Sequence, residues 1–152
     1  MNLKKIYNIM KFAGFMLAGS LVFYAGIIEF ILWNGAADEI VEDSGRAAMW
    51  RNVFIAVSIS AYAVISYLKK RMLKTVYKNP AAMLSGLYMN SIAILILCQA
   101  PAILGIAQFF IGEGSRMEFY PFMIISGLFF IIFFPRYSDW DDVAKNNKGQ
   151  PE

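Results

Sequence analysis

Polar side chains inside the long apolar runs of this sequence are the groups that could do chemistry. Glu29 lies near the end of the first run, and Gln99 lies in the third run, two residues before Pro101. A carboxylate or an amide is costly in hydrocarbon, so such groups mark candidate functional positions. The candidate polar membrane site consists of Glu29, Arg51, Gln99, Pro101, Gln108 and Ser126.

Glu29 and Arg51 are predicted to form an ion pair. Glu29 precedes Trp33 by four residues and Arg51 follows Trp50, so both should lie near the same membrane interface. The guanidinium could reach along its helix and give the carboxylate a bidentate partner, which would clamp the first two spans together. The alternative is that Glu29 takes up and releases protons during transport.

Pro101 predicts a kink in the third span, because proline cannot donate a hydrogen bond to the carbonyl of Leu97. Gln99 is expected to bond a neighbouring helix close to that free acceptor. Ser126 offers a hydroxyl and Gly127 permits close approach, so the fourth span is a plausible neighbour.

The residue inventory disfavours catalysis and bound metals. The chain has no histidine and one cysteine, which excludes an internal disulfide, histidine-held haem and the usual zinc sites. Acid–base and nucleophilic catalysis need paired groups, whereas the spans hold one carboxylate and one thiol. Cys98 is expected to pack as an inert thiol. We therefore expect a protein that is not an enzyme and has no cofactor.

The composition is that of a membrane protein. Hydrophobic residues make up 59% of the 152 positions, charged residues make up 16%, and the mean hydropathy is +0.52. The predicted fold is all-α, a multi-pass domain of four transmembrane helices in residues 1–140 with a flexible cytoplasmic tail in residues 141–152. The first span is too long for a signal peptide, so it should be retained. The four spans cover about residues 12–33, 48–68, 84–110 and 119–134.

Charge orients these spans as two hairpins with both termini in the cytoplasm. All but three of the 14 basic residues lie at the N-terminus, between the second and third spans, or after Pro135. Residues 26–35 also resemble residues 105–114, which sets Gln108 opposite Glu29 and leaves an internal duplication open. The basic connection could bind lipid headgroups through Lys69, Lys70, Arg71, Lys74 and Lys78.

Small residues mark helix faces that are expected to pack against other helices. Gly14, Ala18 and Ala25 share one stripe of the first span with Glu29. A substrate path along these faces is the alternative. A comparable ridge on the second span consists of Ala56, Ser60 and Ala63.

Local signals place helix ends and loops. Asn79 followed by Pro80 predicts an N-cap and the first residue of a helix, and Ser138 could cap a short helix near the C-terminus. The connection after the first span lacks the spacing of a calcium loop, so it is expected to be a solvated cap. Its acidic residues are Asp38, Glu39, Glu42 and Asp43.

Two resemblances follow from these segments. Gln99 through Gly105, together with Phe130 through Trp140, resembles a group of small uncharacterised bacterial four-helix integral membrane proteins. That resemblance implies the bacterial inner membrane and no particular activity. More weakly, Gln99 with Gly105 six residues later is similar to the ion-carrying helix of rotary ATP synthase proteolipids, in which a carboxylate takes the position of Gln99.

These features favour a non-enzymatic accessory subunit or assembly factor. It would reside in the lipid bilayer and act by helix packing with larger membrane proteins or with copies of itself. The alternatives are a small-molecule or ion transporter that uses Glu29, and a proteolipid-like protein. No nucleic-acid partner is expected.

Overall fold

A computed structural model describes residues 3–35, 45–111 and 115–148, and every element in these ranges is a helix. The all-α prediction is confirmed. The predicted acidic cap and the end of the predicted tail, residues 149–152, lie outside the described residues. The helices are α1 (Leu3–Trp33), α2 (Gly45–Lys74), α3 (Pro80–Cys98), α4 (Ala100–Ile111), α5 (Arg116–Phe133) and α6 (Tyr137–Lys148).

Four helical stretches are long and apolar enough to cross a membrane, as the sequence predicts. All four begin before the predicted spans, because the helices continue through the charged and polar residues that flank the apolar runs. In an apolar segment of 18 residues within the third stretch, 50% of the segment is buried, compared with 6% of the corresponding segment in the first stretch. The third stretch is therefore the centre of the bundle, and α1 turns most of its apolar surface outward.

The packing order differs from two side-by-side hairpins. α1 packs mainly on α3, α2 packs on α3 and α4, and α5 packs closely on α4. Direct packing between α1 and α2 is slight among the described residues. The expectation that these two helices clamp each other is wrong, because α3, α4 and α5 lie between them.

The third span is interrupted where Pro101 predicts a kink. α3 ends at Cys98 and α4 begins at Ala100, and the Gln99 amide donates to the carbonyl of Ile96 at 3.1 Å. Ser126 donates from its hydroxyl to the carbonyl of Cys98, one residue beyond the acceptor that the proline ring frees. The fourth span does supply the polar contact at the break, but to a different carbonyl from the expected one.

The close approach of α4 and α5 occurs at Gly105, and not at Gly127 as the sequence predicts. A Cβ built on Gly105 would lie 2.7 Å from the Cβ of Phe122 and 3.1 Å from the carbonyl oxygen of Phe119. A Cβ on Gly127 would meet nothing within 4 Å. Gly105, and not Gly127, is therefore the glycine at which α4 and α5 come into close contact.

Of the two small-residue faces predicted from the sequence, one packs on protein and the other does not. On α1, Gly14 is buried against Phe134, and Ala18 and Ala25 pack on the core, so that stripe faces protein as predicted. The ridge predicted on α2 is wrong, because its three residues are exposed and the packed side of that helix is a different stripe. That packed side includes Ser58, Ala61, Ile65 and Met72.

The predicted flexible tail is a packed helix as far as Lys148. In α6, Trp140 and Val143 are buried in the main core, and Asn147 accepts a hydrogen bond from the amide of Tyr77 at 2.8 Å. Lys69 of α2 also lies 3.4 Å from Asp139 of α6. Tryptophan and valine at a three-residue spacing give this mostly polar helix one apolar stripe.

The start of α3 is as predicted. Asn79 is the N-cap, with its side chain accepting from the amide of Ala82 at 2.7 Å, and Pro80 is the first helical residue. α1 and α3 begin, and α2 and α5 end, at one end of the bundle beside α6, where most of the described lysines also lie. We call it the basic end.

Candidate functional site

Six polar residues from four helices gather at the end of the bundle opposite the basic end. We call them the polar cluster, and they are joined by two ion pairs and several further hydrogen bonds. The first turn of α5 lies at the centre, because it supplies half of the residues. The members are Glu29, Arg51, Gln108, Arg116, Glu118 and Tyr120.

Glu29 binds α5. Its Oε2 lies 2.9 Å from Nη2 of Arg116, and its Oε1 accepts from Nε of the same arginine at 3.2 Å. The hydroxyl of Tyr120 donates to Oε1 at 2.5 Å. The predicted pairing of Glu29 with Arg51 is therefore wrong. A bidentate arginine does bind this carboxylate, but that arginine is Arg116.

Arg51 pairs instead with Glu118, whose Oε1 lies 2.7 Å from Nη1 of the arginine. The other oxygen of Glu118 accepts from Nε2 of Gln108 at 2.9 Å. The side chain of Glu118 is 12% exposed, whereas that of Glu29 is 43% exposed. The Glu118 pair is therefore the better shielded of the two and should contribute more to stability.

Helix geometry explains how one turn of α5 reaches three helices. Arg116 and Tyr120 are four residues apart and share a face, which meets Glu29 of α1. Glu118 lies about 200° around the helix from Arg116, so it points toward α2 and α4. Arg116, Glu118 and Tyr120 were missed as site residues. The opposite charges of Arg116 and Glu118, two residues apart, were the available signal.

Gln108 is fully buried and its amide orientation is fixed by its partners. Its Nε2 donates to the carbonyl of Ala47 at 3.0 Å and to Glu118, and both partners are acceptors. Its Oε1 is buried without a partner among the described residues. The side chain joins α4 to α2 and α5, and a buried water is the ordinary way to satisfy such an oxygen.

Gln99, Pro101 and Ser126 belong to a second polar layer. Nε2 of Gln99 donates to the Leu17 carbonyl at 2.8 Å and to the Ser20 hydroxyl at 2.7 Å. The neighbour of Gln99 is therefore α1, not the fourth span. Ser20 precedes Glu29 by nine residues, about 14 Å along the helix. The six predicted site residues thus form two groups rather than one site.

The predicted headgroup residues lie at the end of α2 and in the connection to α3, at the basic end. Lys69 is engaged with Asp139, while the other four side chains are exposed, and their contact with lipid headgroups stays a prediction. Those four are Lys70, Arg71, Lys74 and Lys78.

The polar cluster connects helices and neutralises its own charges. Both carboxylates face an arginine, and the two ion pairs join α1 and α2 separately to α5. Among the described residues, no three Cys, Asp or Glu side chains are grouped to hold a metal ion. This arrangement cross-links helices through ion pairs and hydrogen bonds.

Comparison of the chain with protein-family models, curated proteins and solved structures finds no match. The geometry of the molecule itself is thus the basis for its functional interpretation.

Proposed function

We propose that the protein is a non-enzymatic accessory subunit or assembly factor that packs α1 against a transmembrane helix of a larger membrane protein. The observation that carries this proposal is a groove of about 610 Å³ on the outward face of α1. Two glycines, Gly19 and Gly26, lie two turns apart at its base. Its sides are the apolar residues Val22, Phe23, Ile27 and Phe30.

Neither groove glycine packs against another of the residues that the structure describes. A Cβ at either position would meet nothing within 4 Å. Glycine in a helix interior costs about 1 kcal/mol relative to alanine, so two of them on one outward face favour an intermolecular use. In lipid, where the hydrophobic effect gives little drive between helices, small residues allow the close backbone approach that drives association.

The polar cluster supports a contact function over transport by Glu29. Glu29 accepts three hydrogen bonds from α5, and Arg51 is held by Glu118. Such groups fix the positions of α1, α2 and α5, and a fixed α1 presents its groove in a constant geometry. The proteolipid-like alternative has no corresponding support, because Gln99 is engaged with α1 through its amide.

In this proposal both termini face the cytoplasm of a bacterial cell, and the four spans cross its inner membrane in alternating directions. The basic end supports that orientation, because lysine and arginine near the ends of spans are retained on the cytoplasmic side. The apolar outward faces of α1 and α2 support bilayer residence.

Site-specific photo-crosslinking in membranes tests the function. A photoreactive amino acid in place of Phe23, which lies in the groove, should cross-link to one larger membrane protein. The same group in place of Tyr67, exposed on α2, is the matched control and should give no such product. Adding Gly26→Leu should remove the Phe23 product. Products made only of two copies of this chain would contradict the accessory role.

A further inference from the structure

A cleft of about 880 Å³ lies between the N-terminal turns of α1 and α3, at the basic end. Ile6 and Ile9 form its wall on α1, and Leu84 and Tyr88 form much of its wall on α3. Its size is that of a small-molecule site. The exposed side chains of Ile9 and Ser85 at its edge show that it opens to the outside of the bundle.

Positive charge lies at the headgroup end of this cleft. Lys78 is exposed and directly precedes the lining residue Asn79. Lys5 is exposed and lies four residues before Ile9, on the same stripe of α1. Neither α1 nor α3 has an acidic residue in its first turn. Two of the three carboxylates of α6 at this end are already engaged, in the pairs Asp139–Lys69 and Asp141–Lys145.

The first turn of α3 adds a backbone donor. The amide of Ala82 is bound by the Asn79 side chain, the amide of Met83 is bound by the Asn79 carbonyl, and Pro80 has no amide proton. The amide of Ala81, a lining residue, is therefore the remaining donor of that turn. The partial positive charge of the helix start favours an anion there.

We propose that this cleft binds one anionic glycerophospholipid. Its phosphate contacts the start of α3, Lys78 and Lys5, and one acyl chain lies between Ile9 and Leu84. The walls are mainly apolar and continue into two membrane-spanning stretches, so a lipid fits the cleft and a free phosphate would leave it largely empty. The groove on α1 begins at Gly19, about three turns beyond Ile9, so this site does not depend on the proposed function.

Native mass spectrometry of the full chain in detergent tests the proposal. The chain is titrated with phosphatidylglycerol or phosphatidylcholine that carry identical acyl chains. We expect one tightly bound lipid, with phosphatidylglycerol preferred by about fivefold or more, because each lysine near an anionic headgroup contributes about that factor. Lys78→Gln should weaken the binding of phosphatidylglycerol about fivefold and that of phosphatidylcholine less, because the choline ammonium group offsets the charge of its phosphate.

Two further variants locate the site. Lys74→Gln is the matched control, and it should not change the affinity, since Lys74 is exposed at the same end but lies five residues before Asn79, whereas Lys78 directly precedes that lining residue. Ser85→Phe should fill the cleft and abolish the tight binding event. Equal affinity for both lipids, equal losses in the Lys78 and Lys74 variants, or unchanged binding in a folded Ser85→Phe protein would overturn the proposal. If Ser85→Phe does not fold, the comparison of the two lysines decides.

Discussion

Nη1 of Arg51 lies 2.7 Å from Oε1 of Glu118, which links α2 to α5 across 67 positions of sequence. Glu29 of α1 binds the same turn of α5 through Arg116 and Tyr120. A single helix turn therefore ties together two helices that hardly touch each other. This relationship explains why the bundle can hold α1 with most of its surface facing outward.

The Arg51–Glu118 pair should be energetically coupled. Glu118→Gln leaves Arg51 without its charged partner and Gln108 with a weaker acceptor, so we expect a loss of about 1–3 kcal/mol in the free energy of unfolding. Arg51→Gln should be destabilising too, and the double variant should lose less than the sum. Denaturation of the four proteins in detergent gives the coupling energy, expected above about 0.5 kcal/mol.

Glu29 and Arg51 should show no coupling, because they bind different residues on different faces of α5. In a double-mutant cycle, the effects of Glu29→Gln and Arg51→Gln on the free energy of unfolding should add within experimental error. Glu29→Gln combined with Arg116→Gln should depart from additivity. Coupling of Glu29 to Arg51 with none to Arg116 would restore the pairing expected from the sequence and contradict the structure.

Gly105→Ala should destabilise the protein by about 1–3 kcal/mol, since the added methyl group would press on Phe122 and on the Phe119 carbonyl of α5. Gly127→Ala is the control. Its methyl group would meet no neighbour, so the better helix propensity of alanine should leave stability unchanged or raise it by up to about 1 kcal/mol. Thermal denaturation followed by circular dichroism distinguishes the two, and equal effects would argue against the α4–α5 packing.

Gln99→Leu should cost about 0.5–2 kcal/mol, because the amide joins α4 and α3 to α1 through Leu17 and Ser20. Gln99→Glu should cost more. Its carboxylate would face the Leu17 carbonyl, which cannot donate a hydrogen bond to it. A Gln99→Glu protein as stable as the wild type would show that this position is open to water, as the proteolipid-like alternative requires.

The features that the sequence predicts correctly are those that depend on residues close together in the chain. The four apolar stretches, the Asn79 cap and the interruption near Pro101 each depend on residues within one or two turns. The partners of Glu29 and Arg51 depend instead on which helices are neighbours, and residues at equal membrane depth offer several pairings. Val143 lies in the predicted flexible tail yet is buried, because a short polar helix gains its stability only from the core that it covers.

Membrane orientation can be measured directly in a Cys98→Ala background. We expect cysteine at Asn34 or at Met117, both near the polar cluster, to react with an impermeant thiol reagent added outside spheroplasts. Cysteine at Lys74, at the basic end, should react only after the membrane is permeabilised. Labelling of Lys74 alone from outside would invert the proposed topology.

The most direct test of the contact function is the size of the assembly that contains the chain. Membranes solubilised in mild detergent are separated by native electrophoresis, and the chain is detected by a tag. We expect the wild type to migrate with a complex much larger than its own 17.2 kDa. Gly26→Leu should release the free chain, while Ala63→Leu, on the exposed face of α2, should not. Wild-type protein that migrates alone, or in a complex unaffected by Gly26→Leu, would contradict the proposed use of the α1 groove.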